Sequence, residues 1–314
     1  MNPHRSDTPD DPGFQADVIA AFGRHLLVRD AAGTELRARP SGRKLSIVCG
    51  DHVRCERERS EVLIVEVLPR RSLLARANLR GESEPIVANV TQLVVVIAPV
   101  PAPDYYIVDR YLCAATAAGI TGTIAVNKSD LDDGASDSDE LAALSQAGYA
   151  HCCCSAKSGK GLDELRRALD GQVSVLVGQS GVGKSSVVNA LLPHAAVQTG
   201  ELMREEEGRH TTTASRAYGL ESGGTLIDSP GVRDFAPAID QLDPKTLGFP
   251  DVARLAPECR FQDCLHMQEP GCAVIAASDS GTLRARRYES YRRLRRRYSD
   301  LVEARGPKAR DRRS

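Results

Sequence analysis

Val173-Ser174-Val175-Leu176-Val177-Gly178-Gln179-Ser180-Gly181-Val182-Gly183-Lys184-Ser185-Ser186 reads as a short buried strand, a glycine-rich turn and the opening of a helix. That succession makes a phosphate cradle. The glycines let consecutive backbone N–H groups wrap phosphate oxygens at the N-terminus of the following helix. In such a loop Lys184 bridges β and γ oxygens and is a candidate catalytic residue, while the Ser185 hydroxyl is a candidate Mg²⁺ ligand. The helix ends before Pro193, which has no N–H to continue it. A chance glycine-rich turn would not be expected to have a strand before it and a helix after it.

Working outward, Asn127-Lys128-Ser129-Asp130 and Ser155-Ala156-Lys157 both precede the cradle, and Asp228-Ser229-Pro230-Gly231 follows it. Asp130 can read a base. Its carboxylate accepts from both N1–H and the 2-amino group of guanine, whereas adenine would leave it unpaired. Asn127 and Lys128 are expected to hold the loops and pack on the base, and the Ala156 N–H to meet guanine O6. Asp228 is expected to hold Mg²⁺ through water, and the Gly231 N–H to meet the γ-phosphate. Ordinary guanine-nucleotide switches carry the phosphate loop first. Here the base-reading half stands in front, which is the order produced by circular permutation of a GTPase.

Between the cradle and Asp228 lies a polar, aperiodic stretch, Thr199 to Thr213, containing Gly208-Arg209-His210-Thr211-Thr212-Thr213. It reads as the mobile first switch, with Thr212 favoured over Thr211 to complete the Mg²⁺ shell. Val232 follows Gly231 where many switches carry a water-orienting Gln, so unaided hydrolysis is expected to be slow. His210 or Arg209 is a candidate to position water or neutralise charge, and an ordinary exposed loop histidine is an equal alternative for His210.

The chain has 314 residues, 41% of them hydrophobic, enough for two or three domains with a real core. Met1 to Pro12 is polar and has none of the apolar core of a signal peptide, so it reads as a disordered tail. The longest apolar run, Leu93 to Val100, falls far short of the roughly 18 residues of a membrane span. A cytoplasmic, monomeric protein is expected. The nine cysteines have no regular overall spacing and read mostly as reduced, small apolar residues.

From Gln15 to about Ala77, short apolar stretches alternate with turns: Val18 to Phe22, Leu26 to Val28, Leu45 to Val48, Val53 with Cys55, and Val62 to Leu68. This predicts a five-stranded barrel of the oligonucleotide-binding (OB) type, with an SH3-like barrel fitting almost as well. From Asn89 the pattern becomes continuous apolar strands alternating with helices, as a doubly wound α/β domain requires. Strands are expected at Leu93 to Ala98, Thr123 to Val126, Val173 to Val177 and Leu226-Ile227. Helices are expected at Asp104 to Ala118, Glu140 to Ala147 and Leu162 to Leu169. The expected divisions are a tail over 1–14, the barrel over 15–80, the permuted GTPase domain over 81–235, and a zinc-binding unit with a basic helix over 236–314.

Cys259, Cys264, His266 and Cys272 offer three thiolates and one imidazole within 14 residues, the ligand types of a closed structural Zn²⁺ site. Further on, Tyr288, Tyr291, Leu294, Tyr298 and Leu301 recur at helical spacing as a packing stripe. Arg286, Arg287, Arg292, Arg293, Arg295, Arg296 and Arg297 occupy the rest of that helix and are read as contacts to a phosphate backbone. Residues 284–314 carry 13 Arg or Lys against 4 Asp or Glu in a chain whose net charge is -1, an asymmetry that points to a polyanionic partner.

These motifs resemble the ribosome small-subunit-dependent GTPase A family (RsgA, also called YjeQ). The likeness extends from about Gln15 to Tyr298. It is carried by Ala88-Asn89-Val90, Asp109-Arg110-Tyr111-Leu112, Asn127 to Asp130, Gly178 to Ser186, Gly208 to Thr213, Asp228 to Gly231, and Cys259-Arg260-Phe261 through Glu269-Pro270-Gly271-Cys272-Ala273-Val274. The resemblance implies an N-terminal OB barrel, a permuted GTPase centre binding GTP or GDP, and a zinc-bearing C-terminal domain with Cys259, Cys264, His266 and Cys272 as ligands. It further implies a factor in late maturation of the 30S subunit that binds 16S rRNA and whose hydrolysis the subunit stimulates. An RNA-binding scaffold with a decayed nucleotide site is the alternative, and intact Lys184, Ser185 and Asp228 argue against it. Thr91 departs from the Asp usual in the family.

Overall fold

The computed structural model describes residues 13–22, 25–42, 45–58, 61–77, 83–131, 138–192, 215–229 and 242–305. The tail Met1 to Pro12, the stretch with Arg209, His210, Thr211 and Thr212, and Pro230, Gly231 and Val232 lie outside them.

Five strands close a barrel: β1 (Phe14–Phe22), β2 (His25–Asp30), β3 (Glu35–Pro40), β4 (His52–Glu58) and β5 (Glu61–Val67). Alternation builds it. Along β4, Val53 and Cys55 point inward while His52, Arg54 and Glu56 face water. The order runs β1-β2-β3-β5-β4 and returns to β1, with β3 and β5 parallel at Ala38↔Val62 and closure at Ala16↔Val53. Val18, Leu26, Val28, Val53, Val62 and Ile64 fill the interior. At the β2–β3 turn Asp30 accepts from the N–H groups of Ala32 and Thr34, both at 2.9 Å.

One expected strand is wrong. Leu45 to Val48 forms no strand, and the third barrel strand is β3, which buries only Ala38 and therefore carries almost no apolar signal. The Leu45 to Val48 segment is instead pinned by the fully buried Asp51, which accepts from the Val48 N–H at 2.8 Å and from Arg70 at 2.7 and 2.8 Å. A hairpin of β6 (Leu73–Ala77) and β7 (Ser83–Ala88) follows the barrel.

Next come β8 (Gln92–Ile97), α1 (Tyr105–Ala117), β9 (Thr121–Val126), α2 (Ser138–Gln146), β10 (Ala150–Cys153), α3 (Leu162–Leu169), β11 (Val173–Val177), α4 (Lys184–Leu191), β12 (Ser215–Gly219) and β13 (Thr225–Asp228). Strands β10, β9, β8, β11 and β13 are parallel neighbours in that order, and β12 adds antiparallel at the end. β8 is buried on both faces. Leu93, Val95 and Ile97 pack with Tyr111, Leu112 and Leu144 of α1 and α2, while Val94 and Val96 pack with Leu165 of α3 and Val187 of α4. β12 also pairs with β1 at Ala20↔Arg216, so barrel and parallel sheet form one 11-stranded sheet.

The C-terminal unit holds α5 (Pro250–Leu255), α6 (Ala273–Asp279) and α7 (Ala285–Arg305). Leu247, Phe249, Val252, Val274, Tyr291 and Leu294 form its core, with the Tyr291 and Phe249 rings edge to face at 5.6 Å. Cys113 of α1 belongs to the same cluster, so this core continues onto the α/β layer. Among the described residues no helix is long and apolar enough to cross a membrane. The architecture is thus a permuted P-loop α/β domain with an N-terminal OB-type barrel and a C-terminal helical unit.

Candidate functional site

Because β9, β10, β11 and β13 run parallel, the loops that leave their C-terminal ends share one edge of the sheet. The cradle leaves β11, Asn127 to Asp130 leave β9, Ser155 to Lys157 follow β10, and Asp228 ends β13. Motifs that are out of order in the chain therefore meet in space.

Gly178 and Gly183 hold φ of 143° and 91°, a region that favours glycine. A Cβ at Gly178 would strike the Val96 carbonyl, and one at Gly183 the Asn127 side-chain amide. The backbone is thus free to approach a phosphate, and the residues present fit one. Lys184 Nζ lies over the loop, donating to the Gly178 and Gln179 carbonyls at 2.6 and 2.8 Å. Ser185 and Ser186 stand exposed in the first turn of α4, and Asp228 is buried at the end of its strand. Gln179, read above only as a loop residue, accepts from the Asp104 N–H at 2.8 Å and so ties the cradle to the start of α1.

Asn127, 2% exposed, joins three loops. Its amide Nδ2 donates to the Val182 carbonyl at 2.9 Å, and its Oδ1 accepts from the Ala156 N–H at 3.0 Å. The Ala156 N–H, expected to face guanine O6, is thus already engaged, and a base carbonyl would meet it as a second acceptor. Lys128 adopts φ 60° and donates to the carbonyls of Val100 and Gly181, both at 2.7 Å. Its ammonium clamps the cradle against the β8–α1 loop. Asp130 is exposed, and one carboxylate oxygen accepts from the buried Ser155 hydroxyl at 2.6 Å. That hydrogen bond, aided by Lys157 and Lys128, holds its carboxyl below the usual range and keeps it an acceptor. Ser129 is half-buried and donates its N–H to the Cys154 carbonyl at 3.0 Å.

The second cluster has all four expected members. Ligand atoms of Cys259, Cys264, His266 and Cys272 lie within 4.8 Å of one another. Cys259 and Cys272 sulfurs stand 3.8 Å apart, and His266 Nδ1 lies 3.4 Å from each. A tetrahedron with Zn–S bonds of about 2.3 Å has an edge of roughly 3.8 Å, so the donor set fits Zn²⁺. Burial pushes the Cys264 thiol up to about 12, so a divalent cation would have to draw the proton off.

Hydrogen bonds brace this loop besides any metal. Glu269 accepts from the N–H groups of Leu265, Met267 and Gln268 at 2.9, 2.8 and 3.0 Å, which outweigh burial and bring its carboxyl down to about 2. Tyr288 and Tyr291 of α7 donate their hydroxyls to the His266 and Leu265 carbonyls, both at 2.9 Å. Glu269 was quoted above only for its motif, and its clamp has no signal beyond a carboxylate between two ligands.

The arginines of α7 require a correction. Arg286, Arg287 and Arg295 are not available to a phosphate backbone, because they turn inward. Arg287, 2% exposed, donates to Asp251 at 2.6 and 3.0 Å and to Asp109 at 2.6 Å. Arg286 bonds Asp109 and Glu140, and Arg295 donates to the Lys245 carbonyl at 2.9 Å and the Tyr291 hydroxyl at 2.8 Å. This network fastens α7 to α1, α2 and α5. The charge count suggests a basic face, but only the fold shows which cations are consumed inside.

Residues 67–237 match the model of the family described as RsgA GTPase. Curated relatives named small ribosomal subunit biogenesis GTPase RsgA include that of Azotobacter vinelandii, 42% identical over 287 residues, covering 88% of this chain and 83% of the relative. That of Pseudomonas aeruginosa is 43% identical over 289 residues, covering 90% and 85%. Among solved structures, YjeQ from Thermotoga maritima superposes with a TM-score of 0.70 at 28% identity, covering 92% of this chain and 99% of that one. YloQ, described as a circularly permuted GTPase, superposes with a TM-score of 0.70 at 26% identity, covering 95% and 98%. With a cradle behind β11, a base-reading loop before it in the chain, and these relatives over most of its length, the chain belongs to the RsgA family of circularly permuted GTPases.

Proposed function

We propose that this chain hydrolyses GTP to GDP and phosphate in the cleft at the edge of its parallel sheet and acts in late maturation of the small ribosomal subunit, through 16S rRNA, with the 30S subunit stimulating turnover. The observation that carries the nucleotide reading is Asn127, whose buried amide braces the cradle at Val182 and the Ala156 loop at once. Guanine selectivity falls to the Asp130 carboxylate, oriented by Ser155. The N–H groups from Gly178 to Ser186 cradle the phosphates, and Lys184 turns from the loop carbonyls to the γ-phosphate. Ser185 and Asp228, with Thr212 of the first switch, would hold Mg²⁺, which would supply charge neutralisation for the phosphates.

His210 is assigned to water positioning and the Gly231 N–H to the γ-phosphate. Cys259, Cys264, His266 and Cys272 hold one structural Zn²⁺. The protein works as a cytoplasmic monomer, with its divisions at 14/15, 80/81 and 235/236. The test is phosphate release from GTP with and without 30S subunits. Slow release alone and a rise of roughly two to three orders of magnitude with subunits are expected, through positioning and charge stabilisation. Equal rates in both conditions would overturn the partner, and no release in either would overturn the activity.

A further inference from the structure

With Arg284, Arg286, Arg287 and Arg295 occupied in internal ion pairs and hydrogen bonds, the cations left at the junction of α1 and α7 are poorly balanced. Arg292, Arg293 and Arg296 share one carboxylate, Glu289, at 3.3, 3.4 and 3.7 Å. Arg297 is exposed, and Arg110 projects from α1. Among the described residues neither lies within ion-pair distance of a carboxylate.

The groups converge on one ring. The guanidinium carbons of Arg110 and Arg293 lie 5.9 and 5.8 Å from the centre of Tyr106. Arg110 Nε and the Tyr106 hydroxyl are buried without a hydrogen-bond partner among the described residues. Burial and the nearby Arg297 charge depress the Arg110 guanidinium, and Tyr106, Tyr111 and Asp104 offset this only in part. Two helices hold this arrangement at a fixed geometry, and an arriving anion would relieve it.

We propose that Arg110, Arg293 and Arg297, with Tyr106 between them, form a composite site for RNA phosphodiester groups across the α1–α7 junction. Planar guanidinium forks suit phosphate oxygens, and an aromatic face among them suits a nucleic-acid backbone and its bases. The site rests on the small-subunit reading above and assigns that contact to one face. It also lies on the helix whose first residues are tied to the cradle through Gln179 and Asp104.

The experiment uses full-length protein with a non-hydrolysable GTP analogue and measures equilibrium binding to 30S subunits, and to deproteinised 16S rRNA, across a salt series. Variants are Arg110→Gln, Arg297→Gln, their double, Arg110→Lys, and, as a control, Arg76→Gln, whose side chain on the β6–β7 hairpin reaches solvent. The double variant should bind both targets roughly tenfold or more weakly and lower the salt slope by about two, one for each lost phosphate contact. Arg110→Lys should keep the slope, the control should match wild type, and unstimulated GTP hydrolysis should be unchanged throughout. Wild-type affinity and slope in the double variant would overturn the site alone. Loss on subunits without loss on rRNA would assign the face to an acidic ribosomal protein and equally overturn it. Failure of the wild type to bind subunits at all would take the partner reading down with it.

Discussion

Replacing Arg287 tests what holds the C-terminal unit to the GTPase layer. The guanidinium is almost wholly buried and makes three charge-assisted bonds, to Asp109 on α1 and Asp251 on α5. Arg287→Met keeps most of the volume but leaves Asp251 as a buried carboxylate without its fork, while Asp109 retains Arg286 and Ser290. Breaking a buried pair from one side costs about 3–5 kcal/mol, because an uncompensated charge remains inside. Multidomain unfolding blurs a single global stability, so the readout is amide hydrogen exchange along α7 and the Cys259 to Cys272 loop. Exchange there should quicken by roughly 10²-fold or more while β8 and β9 amides stay slow. The triple variant Asp109→Asn, Asp251→Asn, Arg287→Met removes the stranded charges and should recover most of the loss. A single variant with wild-type exchange, or a triple no better than the single, would refute the reasoning.

Asp130→Asn should weaken GTP and strengthen xanthosine triphosphate, whose 2-oxo group suits an amide donor; unchanged GTP affinity in a titration would sink the base-reading role. Lys184→Ala should abolish phosphate release without lowering the melting temperature, and release at the wild-type rate would move the site elsewhere. Cys264→Ser should lose the single Zn²⁺ while leaving nucleotide affinity largely intact, and full metal content by atomic absorption would refute the ligand set. Glu269→Ala strands three N–H groups and should destabilise the metal loop by about 2–3 kcal/mol, read as faster Zn²⁺ transfer to a chromogenic chelator; an unaltered transfer rate would show the clamp to be idle.

What could be read in the chain follows how completely each element is buried. The helix over Leu162 to Leu169 was legible because Leu162, Leu165 and Leu169 mark one face, and the strand over Val173 to Val177 because four of its five residues are buried. β3 was missed because Glu35, Leu36, Arg37 and Arg39 all reach solvent or its margin, so its pairing is written in the partners β2 and β5. β12, Ser-Arg-Ala-Tyr-Gly, buries Ser215, Ala217 and Tyr218 but has no apolar run to mark it. It is secured by β13 on one side and β1 on the other, contacts far away in the chain. The nucleotide loops were readable because their chemistry demands particular residue types at particular strand ends. The bracing by Gln179 and the destination of the Ala156 N–H were not, since both depend on which loops the sheet places together.

The same distinction governs the arginine-rich helix. Its period of 3.6 marks a stripe, and the stripe does pack, with Tyr288 and Tyr291 gripping the carbonyls of the metal loop. Which arginines lie beside that stripe is decided by carboxylates on other elements: Asp109 from α1, Glu140 from α2 and Asp251 from α5. Each carboxylate converts a surface cation into an internal strut, so the positive charge counted over this segment overstates what a partner can touch. The surplus that survives is displaced toward Arg293 and Arg297, where α1 adds Arg110 from the GTPase layer. A cation patch shared by two layers senses their relative position, whereas one confined to the tail would not. On α1, Arg110 at the patch stands six residues, about 9 Å at 1.5 Å per residue, from the Asp104–Gln179 contact at the cradle. An RNA contact held there is therefore linked to the phosphate loop through a single helix.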